Sequence, residues 1–251
     1  MSERCTAVLH ELRQTIEREL TALRARAGRP LSLLDIGCWD GEATDRYRAI
    51  LGGDARGAEV FASEAAAARA RGIDVADVDL ESQPLPWREG SVDVVVANQV
   101  FEHLKNVWLP MAEIARVLAP GGTLVFSVPN LASLHNRAML ALGVQPSSIR
   151  TFGPHVRGFT YGQAREFLEH GRFLRVERTV GVGFYPLPAR LAAPIARSWT
   201  SACHTPVFLA TRVAPPGTTP PWRALQQGEQ TYYQGGGGAG VGSEWGQTPS
   251  S

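Results

Sequence analysis

Apolar positions in the first part of the chain follow a helical period and then form short separate runs. Between Val8 and Leu23 they recur every three or four residues among Glu and Arg, which predicts one amphipathic helix ending at Gly28 and Pro30. Apolar runs at 31–36, 58–61, 73–78, 92–97 and 123–128 predict five strands. Helices are predicted between them at 42–51, 64–71 and 111–118, the second with Ser63 as its N-cap.

The predicted strands contain few polar alternations, which is typical of parallel strands covered on both faces. Beyond residue 130 the pattern predicts helices at 131–142 and 161–170 and strands at 173–180 and 206–213. The proline-interrupted stretch 185–199 is assigned to no element. The sequence therefore predicts an α/β fold built on a doubly wound sheet of about seven strands.

Three regions differ in composition. Residues 1–30 are predicted to form an N-terminal helix and residues 31–213 the folded domain. Residues 214–251 are rich in Gly, Pro, Gln, Thr and Ser, with four consecutive glycines from Gly235 to Gly238. We expect this last region to be a disordered tail, because it cannot bury enough apolar surface to offset its ordering entropy.

The overall composition excludes several classes of protein. The 251 residues are 44% hydrophobic and 20% charged, with a net charge of +1, which fits a globular protein and disfavours one that coats nucleic acid. No apolar run approaches the roughly 20 residues of a membrane span, and the N-terminus does not resemble a signal peptide. Cys5, Cys38 and Cys203 are far apart, and the six histidines lack the spacing of metal ligands. We expect a cytoplasmic protein without a metal, with no nucleic acid or membrane as partner.

The end of the first strand carries a glycine-containing segment, Asp35-Ile36-Gly37-Cys38-Trp39-Asp40-Gly41. Dinucleotide-binding folds use the spacing G-x-G-x-x-G here, so that backbone amides approach a pyrophosphate. In this chain the two glycines are four positions apart and Trp39 lies between them. The segment therefore argues against a nicotinamide or flavin cofactor and favours a cofactor without phosphates.

Four further segments follow in a recognisable order. They are Glu59 at the end of the second strand, Asp79-Leu80 at the end of the third, Asn98 to His103 after the fourth, and the L-x-P-G-G turn Leu118 to Gly122 before the fifth. Together with Asp35, Gly37 and Gly41, they resemble the motifs of class I S-adenosylmethionine (SAM)-dependent methyltransferases, in particular the methyltransferase type 11 branch. The resemblance covers about residues 31–213, and Trp39 replaces the middle glycine of the first motif. It implies a Rossmann-like fold and SAM as the cofactor.

The resemblance also implies which residues bind the cofactor. An acid at Glu59 would accept hydrogen bonds from the ribose hydroxyls, since a carboxylate offers two acceptor oxygens and no donor. Asp79 and Leu80 would hold the adenine, although a shift of register would exchange Asp79 with Asp77 or Glu81. The cofactor-binding residues implied are Asp35, Gly37, Cys38, Gly41, Glu59, Asp79, Leu80, Asn98 and Gln99. The alternatives are that the glycines serve only a tight turn, that Glu59 is a solvated loop acid and that Cys38 only fills the turn.

Methyl transfer needs an aligned acceptor and, for a hydroxyl, a group that removes the proton. His103 and His155 are the catalytic candidates, although a histidine at position 103 is structural in many relatives. His135 and Arg157 are candidates for substrate binding. His155 and Arg157 are the preferred pair on the acceptor side, the alternative being a loop histidine and a surface arginine. An excess of arginine between residues 131 and 178 suggests an anionic acceptor, or merely a solvated helix face.

The hypothesis from the sequence is a SAM-dependent methyltransferase that acts on a small molecule, most readily at a hydroxyl oxygen. Two alternatives remain. A catalytically silent protein of the same fold, acting as a binding partner or regulator, is favoured by Trp39 and by the absence of an unmistakable base. A nucleotide-dependent oxidoreductase is disfavoured by the spacing of Gly37 and Gly41.

Overall fold

A computed structural model describes residues 3–225, except residues 186 and 188. The strands within this part of the chain are β1 (Leu31–Ile36), β2 (Gly52–Glu59), β3 (Asp74–Asp77), β4 (Val92–Asn98), β5 (Leu118–Ser127), β6 (Leu174–Val182) and β7 (Thr205–Arg212). The α-helices are α1 (Glu3–Ala27), α2 (Glu42–Leu51), α3 (Ala62–Ala70), α4 (Trp108–Val117), α5 (Leu134–Ala141), α6 (Tyr161–Leu168), α7 (Ala189–Ser198) and α8 (Trp222–Leu225).

The strands form one sheet in the order β3-β2-β1-β4-β5-β7-β6. The first five are parallel, and β7 is antiparallel to both β5 and β6. The register aligns the carboxyl ends of the central strands, because Ile36 lies beside both Ala58 and Ala97. The predicted α/β fold with a doubly wound sheet of about seven strands is confirmed. The strand order reverses between β1 and β4, which is where such sheets bind ligands.

Helices cover both faces of the sheet. On one face, α1, α2 and α3 pack in an apolar cluster in which Leu12, Ile16 and Leu20 of α1 are almost fully buried. On the other face, α4 and α6 pack in a second cluster that includes Phe126 and Trp222. The N-terminal helix is therefore part of the domain rather than an appendage. No helix among the described residues combines the length and apolar character needed to cross a membrane.

Two local predictions are wrong. Helix α3 begins at Ala62, with Phe61 at the cap position, and the hydroxyl of Ser63 bonds the Glu64 carboxylate instead of capping the helix. The stretch 185–199, left without an element, contains α7, in which Pro194 lies inside the helix. Pro194 is the sixth residue of α7, where a proline removes one intrahelical hydrogen bond, so the helix forms in spite of it.

The expected start of the disordered tail is also wrong. Residues 214–225 fold back onto the domain, where Ala214 is buried and Trp222 is fully buried against α4 and α6. The indole Nε1 of Trp222 donates to the carbonyl of Phe167 (3.0 Å). One large aromatic residue can anchor a segment whose composition otherwise indicates disorder. The remaining tail, residues 226–251, lies outside the described residues.

Replacing Trp222 with alanine should lower the free energy of unfolding by about 3 kcal/mol, because it removes a buried indole and its hydrogen bond. Urea denaturation followed by circular dichroism would measure the change. The matched control is Trp199→Ala, since the Trp199 side chain is 48% exposed and should cost far less. Equal losses in both variants would show that the segment after β7 does not stabilise the domain.

Candidate active site

A pocket of about 650 Å³ opens at the carboxyl ends of β1, β2 and β4, and we call it the strand-end pocket. Its volume falls within the roughly 300–1,000 Å³ of small-molecule sites. Seven residues singled out from the sequence line it: Gly37, Glu59, Asp79, Leu80, Asn98, Gln99 and His103. The topology thus brings residues from four separate segments of the chain to one cavity.

Glu59, the last residue of β2, turns its carboxylate toward the loop after β1. Its Oε1 accepts the backbone N–H groups of Val60 (2.9 Å) and Phe61 (3.0 Å), and its Oε2 accepts that of Trp39 (2.9 Å). The residue is only 5% exposed, yet it lines the pocket. Because each carboxylate oxygen can accept two hydrogen bonds, Oε2 retains one position for a ligand.

Trp39 keeps a backbone conformation that glycine usually provides. Its φ is 51°, in the left-handed region that non-glycine residues seldom adopt. The indole is 56% exposed and meets Phe61 edge-on at the mouth of the pocket, with ring centroids 5.8 Å apart. The replacement of the middle glycine therefore preserves the shape of the loop and adds an aromatic wall.

Gly37 and Gly41 serve different purposes. Gly37 has a φ of 70° and lines the strand-end pocket, where an added Cβ would lie 2.9 Å from Cγ2 of Val100. At Gly41 an added Cβ would lie 2.6 Å from Cδ1 of Ile73 and 2.9 Å from Cα of Ala68. Gly41 therefore allows α2 to start close to α3, and its contact with the cofactor stays a prediction.

A smaller pocket of about 220 Å³ adjoins the same loop and is lined by Asp35, Gly37, Cys38 and Asn98, among others. Asp35 is buried and accepts the Thr44 hydroxyl (2.6 Å), while burial, with the nearby Glu59 adding, raises its pKa to about 7. Burial also raises the pKa of the Cys38 thiol to about 12. Cys38 thus fills the turn and is not an activated nucleophile.

The structure resolves the register of the acids after β3. Asp77 forms an ion pair with Arg69 (2.6 Å), whereas Asp79 lines the strand-end pocket. The oxygens of Asp79 accept the Ser82 hydroxyl (2.7 Å) and the Glu81 backbone N–H (3.0 Å), and these bonds hold the pKa of its carboxyl below the usual value. Asp79 therefore reaches the pocket while also closing a turn.

Asn98 is the last residue of β4, Gln99 follows it, and both line the strand-end pocket. The Oδ1 of Asn98 accepts the Ser127 hydroxyl (2.6 Å), which fixes the amide between the strand-end pocket and the smaller pocket. Gln99 has a φ of 58° and donates its backbone N–H to the Ser127 carbonyl (3.0 Å). Trp39 and Gln99 both line the pocket in left-handed conformations, and such strain often accompanies binding sites.

A second cavity of about 610 Å³ lies beyond Gln99 and His103, and we call it the histidine pocket. Four of the six histidines line it, namely His103, His135, His155 and His204. Gln99 and His103 line both large pockets, so the two cavities share a wall. The sequence predicted three of these histidines as site residues, but their convergence depends on the fold.

Glu102, His103 and His155 form a compact cluster in this second cavity. One carboxylate oxygen and one nitrogen from each ring lie within 4.8 Å of one another. Glu102 is 1% exposed, and burial raises its pKa to about 8. Burial lowers the pKa of His103, which a hydrogen bond to the Pro154 carbonyl opposes. Burial at this position thus favours the unprotonated form of His103.

The expected pairing of Arg157 with His155 at one acceptor is corrected. Arg157 donates to the Lys105 carbonyl (2.6 Å) and lines a separate cavity of about 350 Å³. Other arginines of the basic stretch pair with surface acids, as Arg165 does with Glu169 (3.0 Å). Among the described residues around the histidine pocket, none is Arg or Lys. The arginine excess therefore does not indicate an anionic acceptor there.

Several site residues were missed by the sequence analysis. Arg13, on α1, lines the smaller pocket, and Tyr185, Glu102 and His204 line the histidine pocket. Burial lowers the pKa of His204 to about 4. Glu102 lies within the segment Asn98 to His103 but was not singled out. The other missed residues stand outside recognisable motifs, and the packing of α1 and the late part of the chain brings them to the site.

Comparison with known proteins identifies relatives of part of the chain. Residues 34–126 match a family model described as a methyltransferase domain. A Mycolicibacterium smegmatis protein named a probable S-adenosylmethionine-dependent methyltransferase is 34% identical over 161 residues, 62% of this chain and 56% of that protein. The 27-O-demethylrifamycin SV methyltransferase of Amycolatopsis mediterranei is 33% identical over 113 residues, 41% of each chain. The chain thus spans about half the length of these relatives.

Solved structures show the same fold. The crystal structure of magnesium protoporphyrin IX methyltransferase from Synechocystis, with bound S-adenosylhomocysteine, matches with a TM-score of 0.57. The match covers 84% of this chain and 88% of that one, at 14% sequence identity. The similarity in fold therefore extends beyond residue 126, to nearly all of the described domain.

Proposed function

We propose that this chain, in which residues 34–126 match a methyltransferase domain, is a class I SAM-dependent methyltransferase that transfers a methyl group from SAM to a hydroxyl oxygen of a small molecule. The observation that carries the proposal is the shared wall of the two large pockets at Gln99 and His103. A methyl donor in one cavity and an acceptor in the other would meet at that wall, as an in-line displacement requires.

The strand-end pocket suits SAM in size and chemistry. Glu59 keeps a hydrogen-bond-accepting position on Oε2, which fits one ribose hydroxyl. Leu80 and the Trp39–Phe61 pair offer apolar surface for the adenine, with Asp79 at the same end. Arg13 lines the adjoining smaller pocket, where its guanidinium suits the carboxylate of the methionine moiety.

When bound, SAM supplies a methyl group on a positively charged sulfur, which is a good leaving group. As the C–O bond forms, the C–S bond breaks, its electron pair stays on sulfur, and the acceptor hydroxyl gives up a proton. The part of this chain is to align the acceptor and to promote the loss of that proton. We assign proton removal to the cluster of Glu102, His103 and His155, with His135 beside it for acceptor binding.

The residues that line the histidine pocket limit the charge of the acceptor that it can bind. Its described lining carries the acid Glu102 and four histidines but no Arg or Lys, so a neutral acceptor fits better than an anionic one. Val8, Leu9 and Leu12 of α1 add an apolar wall. A relative named as the O-methyltransferase of a rifamycin also supports a hydroxyl on a sizeable natural product.

Calorimetric titration with SAM tests the cofactor assignment. We expect saturable binding of one equivalent and a roughly tenfold weaker affinity in Glu59→Ala, because a charged hydrogen-bond acceptor is lost. Glu64→Ala is the control, since Glu64 lies in α3 and outside the lining of the strand-end pocket. Absence of binding by SAM and by S-adenosylhomocysteine to the unaltered protein would refute the proposal.

Turnover is tested separately, with labelled SAM and a panel of hydroxylated natural products. Transfer of label to an acceptor oxygen, slowed by His103→Ala without loss of SAM affinity, is the expected result. A protein that binds SAM but methylates none of a broad panel would instead support the catalytically silent alternative.

A further inference from the structure

The cluster of Glu102, His103 and His155 contains a buried carboxylate that lacks a hydrogen-bond partner among the described residues. Glu102 is only 1% exposed and both its Oε1 and Oε2 are buried, yet neither oxygen accepts a hydrogen bond from the described residues. A buried carboxylate without partners is costly, and native proteins seldom leave one so. It therefore indicates a cationic or proton-donating ligand.

Both histidines beside it are oriented through Nδ1. Nδ1 of His103 bonds the Pro154 carbonyl (3.2 Å), and Nδ1 of His155 bonds the Ser148 carbonyl (2.8 Å). Because a carbonyl oxygen only accepts, each Nδ1 carries the proton, and each Nε2 keeps a lone pair. Metal-bound histidines are typically held in this way, by a carbonyl or carboxylate on the other ring nitrogen.

The backbone also ties the three groups together. Glu102 and His103 lie on the 3-10 turn Phe101–His103, and His155 lies on a loop distant in sequence. The Glu102 carbonyl accepts the backbone N–H groups of Val156 (2.9 Å) and Arg157 (3.1 Å), which joins that loop to the turn. The donors are thus arranged before any ligand arrives.

We propose that Glu102, His103 and His155 bind a divalent first-row transition metal ion, such as Zn²⁺, at the wall of the histidine pocket. Two imidazoles and one carboxylate form the donor set of many such sites, which leave the remaining positions open to water or substrate. Ligand atoms of a tetrahedral zinc site lie about 3.4 Å apart. Ligand atoms that now lie up to 4.8 Å apart would therefore have to approach by up to about 1.4 Å, through side-chain rotation.

A bound metal ion would promote the loss of the acceptor's proton. Only this catalytic role of the ion rests on the proposed function. A hydroxyl oxygen bound in an open position loses its proton to solvent more readily, because the cation stabilises the alkoxide. The histidines are then ligands rather than direct proton acceptors. No metal was expected from the sequence, because the three ligand residues come from two distant segments.

Metal binding is tested on the full chain, after treatment with EDTA and dialysis, by titration with CoCl₂ followed by visible absorption and with ZnCl₂ by calorimetry. We expect one equivalent bound with micromolar or tighter affinity, and at least 100-fold weaker binding in both His155→Ala and Glu102→Gln. His135→Ala is the matched control from the same pocket and should retain its metal affinity within twofold.

Two outcomes would overturn the proposal: no stoichiometric binding by a folded protein, or binding that both variants retain. Thermal melts of each variant show whether it is folded, and the conservative Glu102→Gln exchange keeps the shape of the side chain. SAM titration of the metal-free protein separates the two proposals. If the protein binds SAM but does not bind added metal, the metal site alone is refuted. If the protein binds added metal but does not bind SAM, the proposed function alone is refuted.

Discussion

Gly37→Val is expected to abolish measurable SAM binding, with affinity falling at least 100-fold. Gly37 lines the strand-end pocket with a φ of 70°, where a β-branched residue is strained. The new Cβ would also lie 2.9 Å from Cγ2 of Val100, which lines the same cavity, so the loop or Val100 must move into the ligand's space. Calorimetry with SAM and S-adenosylhomocysteine would measure the loss.

Gly121→Val separates the backbone effect from the effect on the pocket. Gly121 has a φ of 76°, but an added Cβ there would meet nothing within 4 Å. Both variants should lose comparable stability, since both force a β-branched residue into the left-handed region. Only Gly37→Val should lose binding, and equal affinities in two folded variants would contradict the position of the cofactor loop.

Asp35→Asn is expected to stabilise the protein by roughly 2 to 4 kcal/mol near pH 8 and to change little near pH 4. The folded-state pKa of Asp35, about 7, lies above the ordinary value of 3.8 because the carboxyl is buried. Its protonated form therefore favours the folded state below about pH 4. That contribution is lost as the pH rises to about 7, where the buried group must ionise. Asparagine carries no charge and can still accept the Thr44 hydroxyl.

Urea denaturation of both proteins across this pH range would measure the difference. Asp93→Asn is a control of opposite sign, because Arg29 and Ser32 hold the pKa of Asp93 below its usual value. The stability from Asp93 is present above its unfolded pKa and is lost as the pH falls, so that variant should become relatively less stable as the pH rises. Parallel pH profiles for Asp35→Asn and the unaltered protein would show that Asp35 is not titrating as a buried group.

Most helices and strands could be predicted from the sequence because the patterns that specify them lie within the elements themselves. Apolar runs such as Val92–Asn98 are buried on both faces, and the stops at Gly28 and Gly52 fall where helices end. Prediction failed where a distant contact decides the structure. Trp222 folds back onto α6 because the packed domain offers it a site, which the composition of its own segment does not show.

The two sides of the site differ in the same way. The proposed cofactor side follows strand ends, so the positions of Glu59 and Asn98 at one edge of the sheet could be predicted from the order of strands alone. The acceptor side is built from loops and from α1, whose approach to the sheet depends on packing over the whole domain. Hence His103 was predicted next to the cofactor, whereas its association with Glu102 and His155 required the structure.

The position of β7 between β5 and β6 has a consequence for how the domain is completed during synthesis. Strand β6 pairs with β7 alone, so it has no hydrogen-bonding partner until residues 205–212 leave the ribosome. Until then β5 also exposes an open edge, which is a recognised route to aggregation. The five parallel strands can assemble early, whereas the sheet closes only in a late step that inserts the last strand between its two neighbours.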